Sequence, residues 1–347
     1  MTVINGIEID NISYIPNIVK RSISENAMLE DKLHTIIVLS NPCQYARRYI
    51  LAREFIKRFA EEEPDTILYI VELAYGNHGF HITEKNNPRH LQLHTNTPAL
   101  WHKENMINIG VRKLLPSTWK AFAWIDADVE FTNVHWAQDT LKLLNMSYDV
   151  VQLFSHAVDM SAVQDAMQIF SGFGFQYANR QRYRKGGVNF FHPGFAWAMT
   201  REAYEGLGGL YEYSILGSGD NNMALSFIGH GLQTLNERTS DGYKESIVAY
   251  EARALDLNVR IGYTPGVIRH YFHGSKKNRK YSERWKILVT YEFDPYIHVT
   301  HNAEGLLVPT PECPKDLIEG IYTYFSERNE DEGYEEVNVS SIECMKH

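Results

Sequence analysis

Short apolar runs recur along the chain at Thr35–Leu39, Thr66–Val71, Ala121–Ile125 and Asp149–Phe154, rich in β-branched and aromatic residues and separated by charged segments. This alternation predicts parallel strands joined by crossover helices, an α/β core. Between the first two runs, Tyr49, Ala52, Phe55, Ile56 and Phe59 recur at helical spacing within Tyr45 to Glu63, and Pro64 closes the segment. A second helix is expected from Trp101 to Leu115. It turns Ile107, Val111, Leu114 and Leu115 to one face, stops at Pro116 and leads into Ala121–Ile125. After Phe154 the pattern loosens. Phe170 to Phe191 is glycine-rich, aromatic and basic, and reads as a long surface excursion near a site; regular structure resumes near Phe195. Ser326 to Glu336 is dense in Asp and Glu and reads as a solvated acidic tail.

At 347 residues and 44% hydrophobic content, the chain can bury one large core with appended pieces. A net charge of -9 argues against a protein that coats nucleic acid or anionic membrane through its overall field. The three cysteines, Cys43, Cys313 and Cys344, are odd in number and widely spaced. They suggest neither a disulfide framework nor a thiolate metal site, and fit a reducing compartment. Met1 to Lys20 lacks the features of a signal peptide, and no run approaches the length of a membrane span, so a cytoplasmic location is expected.

The chemistry concentrates at Asp126-Ala127-Asp128, two carboxylates two residues apart just past an apolar strand. Ligands of open α/β sheets bind beyond the carboxyl ends of strands, and oxygen-rich sites suit Mg²⁺ or Mn²⁺ bridging a diphosphate. Small Ala127 lets the backbone approach a nucleotide. An acidic strand-to-loop turn without a ligand accounts for the same residues. The segment resembles the DxD motif of GT-A glycosyltransferases, and three further segments follow the order of that family.

Upstream, the run from Leu100 through Lys103 to Gly110 resembles the helix before the DxD strand in β-1,4-galactosyltransferases and their relatives, which implies that Lys103 approaches the nucleotide. A solvated lysine on an amphipathic helix is the plainer reading. Ser40-Asn41-Pro42 resembles the loop that holds the donor base, and Glu72 ends the second strand where a base contact falls; both are also ordinary turn positions. Downstream, His192 to Met199, Gly208-Gly209 and Leu216 to Asn222 resemble the acceptor-side region. Gly194, Trp197, Gly219 and Asn221 then lie on the acceptor side, and Asp220 falls on the catalytic base. A carboxylate in reach of an acceptor hydroxyl can take its proton as the sugar carbon is attacked. A helix N-cap before Met223 is a compatible role for the same residue. The chain departs from the family's pattern here. Gly219 stands in place of a first acidic residue and Leu216 in place of a tryptophan, so donor and acceptor preferences do not transfer. Finally, Ile268 to Arg279 resembles the family's closing segment. It implies His270 and His273 as metal ligands beside Asp128, with Lys276, Lys277 and Arg279 facing the departing diphosphate. A solvated basic loop is the alternative for those three.

The matched segments run from Thr35 to Lys286. The resemblance, to GT-A enzymes of the glycosyltransferase family 2-like and β-1,4-galactosyltransferase-like kinds, implies an α/β fold: a Rossmann-like mixed sheet flanked by helices. It implies an N-terminal extension over 1–34, a GT-A catalytic domain over 35–290 and a C-terminal extension with the acidic tail over 291–347. It also implies a hexosyl- or pentosyltransferase that uses Mn²⁺ or Mg²⁺ and a nucleotide diphosphate sugar, with UDP the base most relatives use. Asp128 would ligate the metal, Asp126 would touch ribose or metal, and single displacement would invert the anomeric centre. Lacking a membrane anchor of the kind Golgi transferases carry, the chain reads as bacterial, phage or viral. The expected acceptor is a glycan or glycoprotein. The stretch from Tyr177 to Lys185 interleaves aromatic and basic residues, which suits phosphate contacts and base stacking and keeps a hydroxymethylated base in DNA as an alternative. A non-catalytic nucleotide-sugar or carbohydrate-binding module is the reading from another class.

Overall fold

The computed structural model describes residues 3–4, 7–8, 32–182, 191–280 and 283–333. Its centre is a seven-stranded mixed sheet in the order Ile261–Tyr263, Val150–Gln152, Ala196–Thr200, Ala121–Ile125, Leu33–Ser40, Thr66–Tyr75, His90–Thr95. Ala196–Thr200 runs antiparallel to both neighbours, and the other pairs are parallel. Helices cover both faces, so the expected mixed α/β sheet flanked by helices is what the chain forms. The strand alternation explains why: Phe122 and Trp124 pack on one side, while Ala121, Ala123 and Ile125 pack on the other. The small face repeats at Ala196 and Ala198, and there Phe55 and Phe59 of helix Ala46–Glu62 and Trp136 of helix Trp136–Met146 fill the space. On the opposite face helix Lys103–Leu114 lies close to the sheet. A Cβ on Gly110 would stand 3.0 Å from Val71 Cγ2, so glycine sets that approach.

A second sheet, in the order Phe191–His192, Ala166–Gly172, His156–Met160, Val267–His270, Val129–Phe131, meets the first at the Asp126–Asp128 turn, since Ala121–Ile125 ends the one and Val129 begins the other. Part of what reads in sequence as a surface excursion is therefore regular. Ala166–Gly172 is a strand, and Phe173, Gly174 and Gln176 of helix Phe173–Ala178 are buried. Residues 179–182 are exposed, and Tyr183 to Lys185 lie outside the described residues.

The stretch set apart as a C-terminal extension also joins the main core. Leu317, Ile321, Tyr324 and Phe325 of helix Lys315–Glu327 share one apolar cluster with Ile107, Leu225 and Tyr243. Among the described residues, no helix is long and apolar enough to cross a membrane.

Candidate active site

One cavity of about 640 Å³ opens beyond the carboxyl ends of Leu33–Ser40 and Ala121–Ile125, a volume suited to a small organic ligand. Ser40, Asn41, Pro42, Lys103, Asp126, Asp128, Gly194, Asp220, Asn221, His270, His273, Lys276 and Arg279 all line it. Backbone pairing aims the two aspartates. The Asp126 N–H donates to Phe195 O at 2.8 Å, and the Asp128 carbonyl accepts from the Tyr271 N–H at 2.8 Å. Phe195 carries this contact at φ +79, a left-handed conformation uncommon for a bulky residue.

On one side of the turn, Asp128 Oδ2 lies 2.9 Å from His273 Nε2 and 3.8 Å from His270 Nε2. The ligand atoms of these three residues all fall within 4.8 Å of one another. Strand register brings in a partner: His270 stands opposite Asp159 in a parallel pair, and its Nδ1 lies 2.7 Å from Asp159 Oδ1. Burial raises the Asp159 pKa, but the His270 hydrogen bond and the Lys276 ammonium outweigh it and hold the carboxyl at about 2. Burial likewise opposes the charge on Asp128, and His273 and His270 overcome it, driving that carboxyl below its ordinary range. Asp128 Oδ1 is buried with no hydrogen-bond partner. A carboxylate and two imidazoles converging beside an unpartnered oxygen fit a divalent transition ion.

On the other side, Lys103 Nζ bridges Asp126 Oδ1 at 2.6 Å and Asp220 Oδ2 at 3.0 Å. Burial pushes the Asp126 carboxyl up to about 6, with Lys103 pulling against it and Asp220 adding to it. The same two carboxylates hold the Lys103 ammonium above its ordinary range despite burial. Asp220 sits in the first turn of helix Gly219–Ser226, whose N-cap is Ser218 and not Asp220. Its Oδ1 is buried and unpartnered, and the bare Cα of Gly194 lies alongside: a Cβ there would be 3.6 Å from Asp220 Oδ2.

Four of the sequence-based assignments fall elsewhere. Glu72 points away from the cavity, where its carboxylate accepts from the N–H groups of His81, Ile82 and Thr83 and the Thr83 hydroxyl, fastening a loop instead of a base. Trp197 is buried in the antiparallel strand with its indole N–H given to Pro193 O at 2.7 Å. Gly219 faces the protein interior: a Cβ on it would lie 2.3 Å from Glu104 Cδ, so the Glu104 carboxyl fills the space a side chain there would take. Lys277 is exposed and outside the cavity lining.

Sequence reading also missed residues. Asp159, Arg48, Gln168, Arg284, Arg328 and Glu330 line the same cavity. Glu330 lies in the stretch expected to be a solvated acidic tail, yet it is 1% exposed and paired with Arg48 at 2.5 Å and Arg328 at 2.7 Å. No signal in local composition separates it from its acidic neighbours. Asp159 had none either: in His156–Met160 it shares the buried face with Ala157, where a sequence pattern would place an apolar residue.

Sheet and cavity together define an α/β protein with a ligand cleft at a strand-end carboxylate pair. No family model and no curated protein matches the chain. Among solved structures it is similar to a Drosophila β-1,4-galactosyltransferase 7 mutant in complex with manganese, UDP-Gal and xylobiose, at 10% identity and a TM-score of 0.35, over 67% of this chain and 65% of that one. The chain thus spans less than two thirds of that protein's length. It is also similar to a Desulfovibrio desulfuricans protein described as a nucleotide-diphospho-sugar transferase, at 9% identity and a TM-score of 0.30, over 70% of this chain and 82% of that one. A third is 4-diphosphocytidyl-2C-methyl-D-erythritol synthase from Anaerococcus prevotii, at 11% identity and a TM-score of 0.31, over 70% of this chain and 90% of that one. What the cavity can do follows from its own side chains.

Proposed function

We propose that the chain is a metal-dependent GT-A glycosyltransferase that moves a sugar from a nucleotide diphosphate donor, a UDP-sugar by preference, to a hydroxyl of a glycan or glycoprotein. One observation carries the reading: a single cavity joins a carboxylate and two imidazoles to a lysine-bridged pair of carboxylates. Six cationic side chains, Arg48, Lys103, Lys276, Arg279, Arg284 and Arg328, line the same space, a supply of positive charge suited to a diphosphate.

Asp128, His270 and His273 would hold the ion, and imidazole donors favour Mn²⁺ over Mg²⁺, which prefers all-oxygen surroundings. The bound ion supplies Lewis-acid stabilisation of negative charge on the leaving diphosphate. Lys103 lies between the donor side and Asp220, where it can neutralise a phosphate oxygen. Asp220, which lines the cavity beside Lys103, would take the proton of an acceptor hydroxyl during attack. Single displacement by the activated hydroxyl inverts the anomeric centre.

The test is a panel of nucleotide sugars incubated with the protein and Mn²⁺, Mg²⁺ or Zn²⁺, with and without chelator, scored for nucleotide diphosphate release and for donor binding. Release from one donor that chelator abolishes supports the reading. Absence of both metal-dependent release and metal-dependent donor binding overturns it.

A further inference from the structure

The segment following helix Lys315–Glu327 does more than close a wall. We propose that Glu330 is a positioning residue for the cation site, holding the His273 imidazole by Nδ1 so that Nε2 faces Asp128. This rests on the metal reading above.

Three independent contacts carry the inference. First, Glu330 Oε2 lies 3.5 Å from His273 Nδ1, on the side of the ring opposite Asp128. Second, His273 Nε2 is the ring nitrogen turned to the cation side, 2.9 Å from Asp128 Oδ2 and 2.7 Å from Arg279 Nη2. A cation held by Nε2 would leave the ring proton on Nδ1, the nitrogen that faces Glu330. Third, the backbone carrying Glu330 is pressed against the residue after His273. Gly274 has φ +84, and a Cβ on it would lie 2.9 Å from Asn329 O and 3.0 Å from Glu330 Cα. The arrangement repeats that of the other imidazole, His270, whose Nδ1 faces buried Asp159 while its Nε2 stands 3.3 Å from His273 Nε2. Both rings are thus turned by a carboxylate behind them, and both present the same nitrogen to Asp128.

Glu330 is itself fixed. Arg48 reaches it through Nε at 2.5 Å and Nη2 at 2.7 Å, and Arg328 through Nε at 2.7 Å. The segment is tied to the other end of the fold, where the Tyr45 hydroxyl donates to Ser326 O at 2.7 Å and accepts from the Asn329 N–H at 3.1 Å. The Asp331 carboxylate accepts from the N–H groups of Ala46 and Arg47 at the start of helix Ala46–Glu62. Carboxylates behind metal-bound imidazoles fix ring orientation, and their loss weakens metal binding by about 10–100-fold.

The experiment uses the full chain and Mn²⁺ itself. The Mn²⁺ dissociation constant is measured by calorimetry and by loss of the free-ion electron spin resonance signal for wild type, Glu330→Gln and Glu330→Ala. Thermal melts follow folding, and imidazole ¹⁵N spectra of the metal-free proteins report which ring nitrogen carries hydrogen. The expectation is affinity about tenfold weaker in Glu330→Gln and about 100-fold weaker in Glu330→Ala, with His273 losing its Nδ1–H preference and His270 keeping its own. If the alanine variant does not fold, the near-isosteric glutamine variant decides. Unchanged Mn²⁺ affinity in a folded Glu330→Gln overturns the inference and leaves the metal reading standing. Weaker affinity with an unchanged His273 tautomer also overturns it, because that pattern belongs to a cavity loosened by two unpaired guanidinium groups. Failure of the wild type to bind Mn²⁺ overturns both.

Discussion

Asp126 and Asp128 are two residues apart on one turn, yet they live in opposite surroundings. Asp128 faces two imidazoles and is driven below the usual carboxylate range; Asp126 shares one lysine with Asp220, lies near buried Glu104, and is pushed up to about 6 by burial, with Lys103 opposing. One half of the cavity floor brings a carboxylate against two imidazoles, and the other brings two carboxylates onto one lysine; in the proposed function the first holds the cation and the second handles protons. The difference teaches that the motif supplies only the carboxylates. The elements packed against them, Val267–His270 on one side and the Lys103 and Asp220 helices on the other, set the surroundings of each.

The sharpest way to break the comparison is to disable one half and ask whether the other survives. Asp220→Asn should lower kcat by about 10²–10⁴-fold while leaving Mn²⁺ affinity at the wild-type value, as read by donor turnover and by metal titration. A loss of metal affinity in that variant would mean the halves are one site. Asp128→Ala should do the reverse at the binding level, weakening Mn²⁺ by about 100-fold or more, as read by metal titration of the folded variant. Gly219→Ala tests how tightly the proton-handling half is packed. Its added methyl must displace the Glu104 carboxyl, an overpacking that should cost about 1–3 kcal/mol by denaturant unfolding and should not touch metal affinity.

The smallest effect concerns pH. Burial, with Asp220 adding and Lys103 opposing, raises the Glu104 carboxyl from 4.5 to about 8. The folded state therefore binds this proton more tightly than the unfolded chain does. The stability tied to it is full below 4.5 and is lost as pH rises toward and through about 8. Glu104→Gln, always neutral, should melt with wild type near pH 5 and above it near pH 8.5, with the gap opening between those values. A gap that stays constant across this range would remove Glu104 from the proton-handling half.

Four strands of the main sheet were legible because they are largely buried and read as apolar runs, whereas His90–Thr95, Ala196–Thr200 and Ile261–Tyr263 were not read as strands. Ala121–Ile125 appears in sequence with the bounds it has in the fold, and helix Ala46–Glu62 differs from the expected span by one residue at each end. Asp128, His270 and His273 were legible through spacing and resemblance, and they converge. Glu72 and Trp197 misled for a common reason. Position at a strand end or beside a site motif says where a backbone lies and nothing of which neighbour claims the side chain; loop 81–83 claimed Glu72 and Pro193 claimed Trp197. Asp159 became a partner of His270 through strand register, and Glu330 became one of His273 through docking of distant chain. Neither relation has a local signature.

The tie between Tyr45 and Asn329 spans 284 positions of sequence. Closing so long a loop has a high entropic cost, and contacts of this separation form late in folding. A chain with its central sheet complete and its Lys315–Glu327 helix undocked would thus have folded secondary structure and a full set of Asp128, His270 and His273, yet no Arg48–Glu330 pair behind them. Refolding should then regain far-ultraviolet dichroism before it regains tight cation binding, and the lag between the two signals would time the arrival of the last piece of the site.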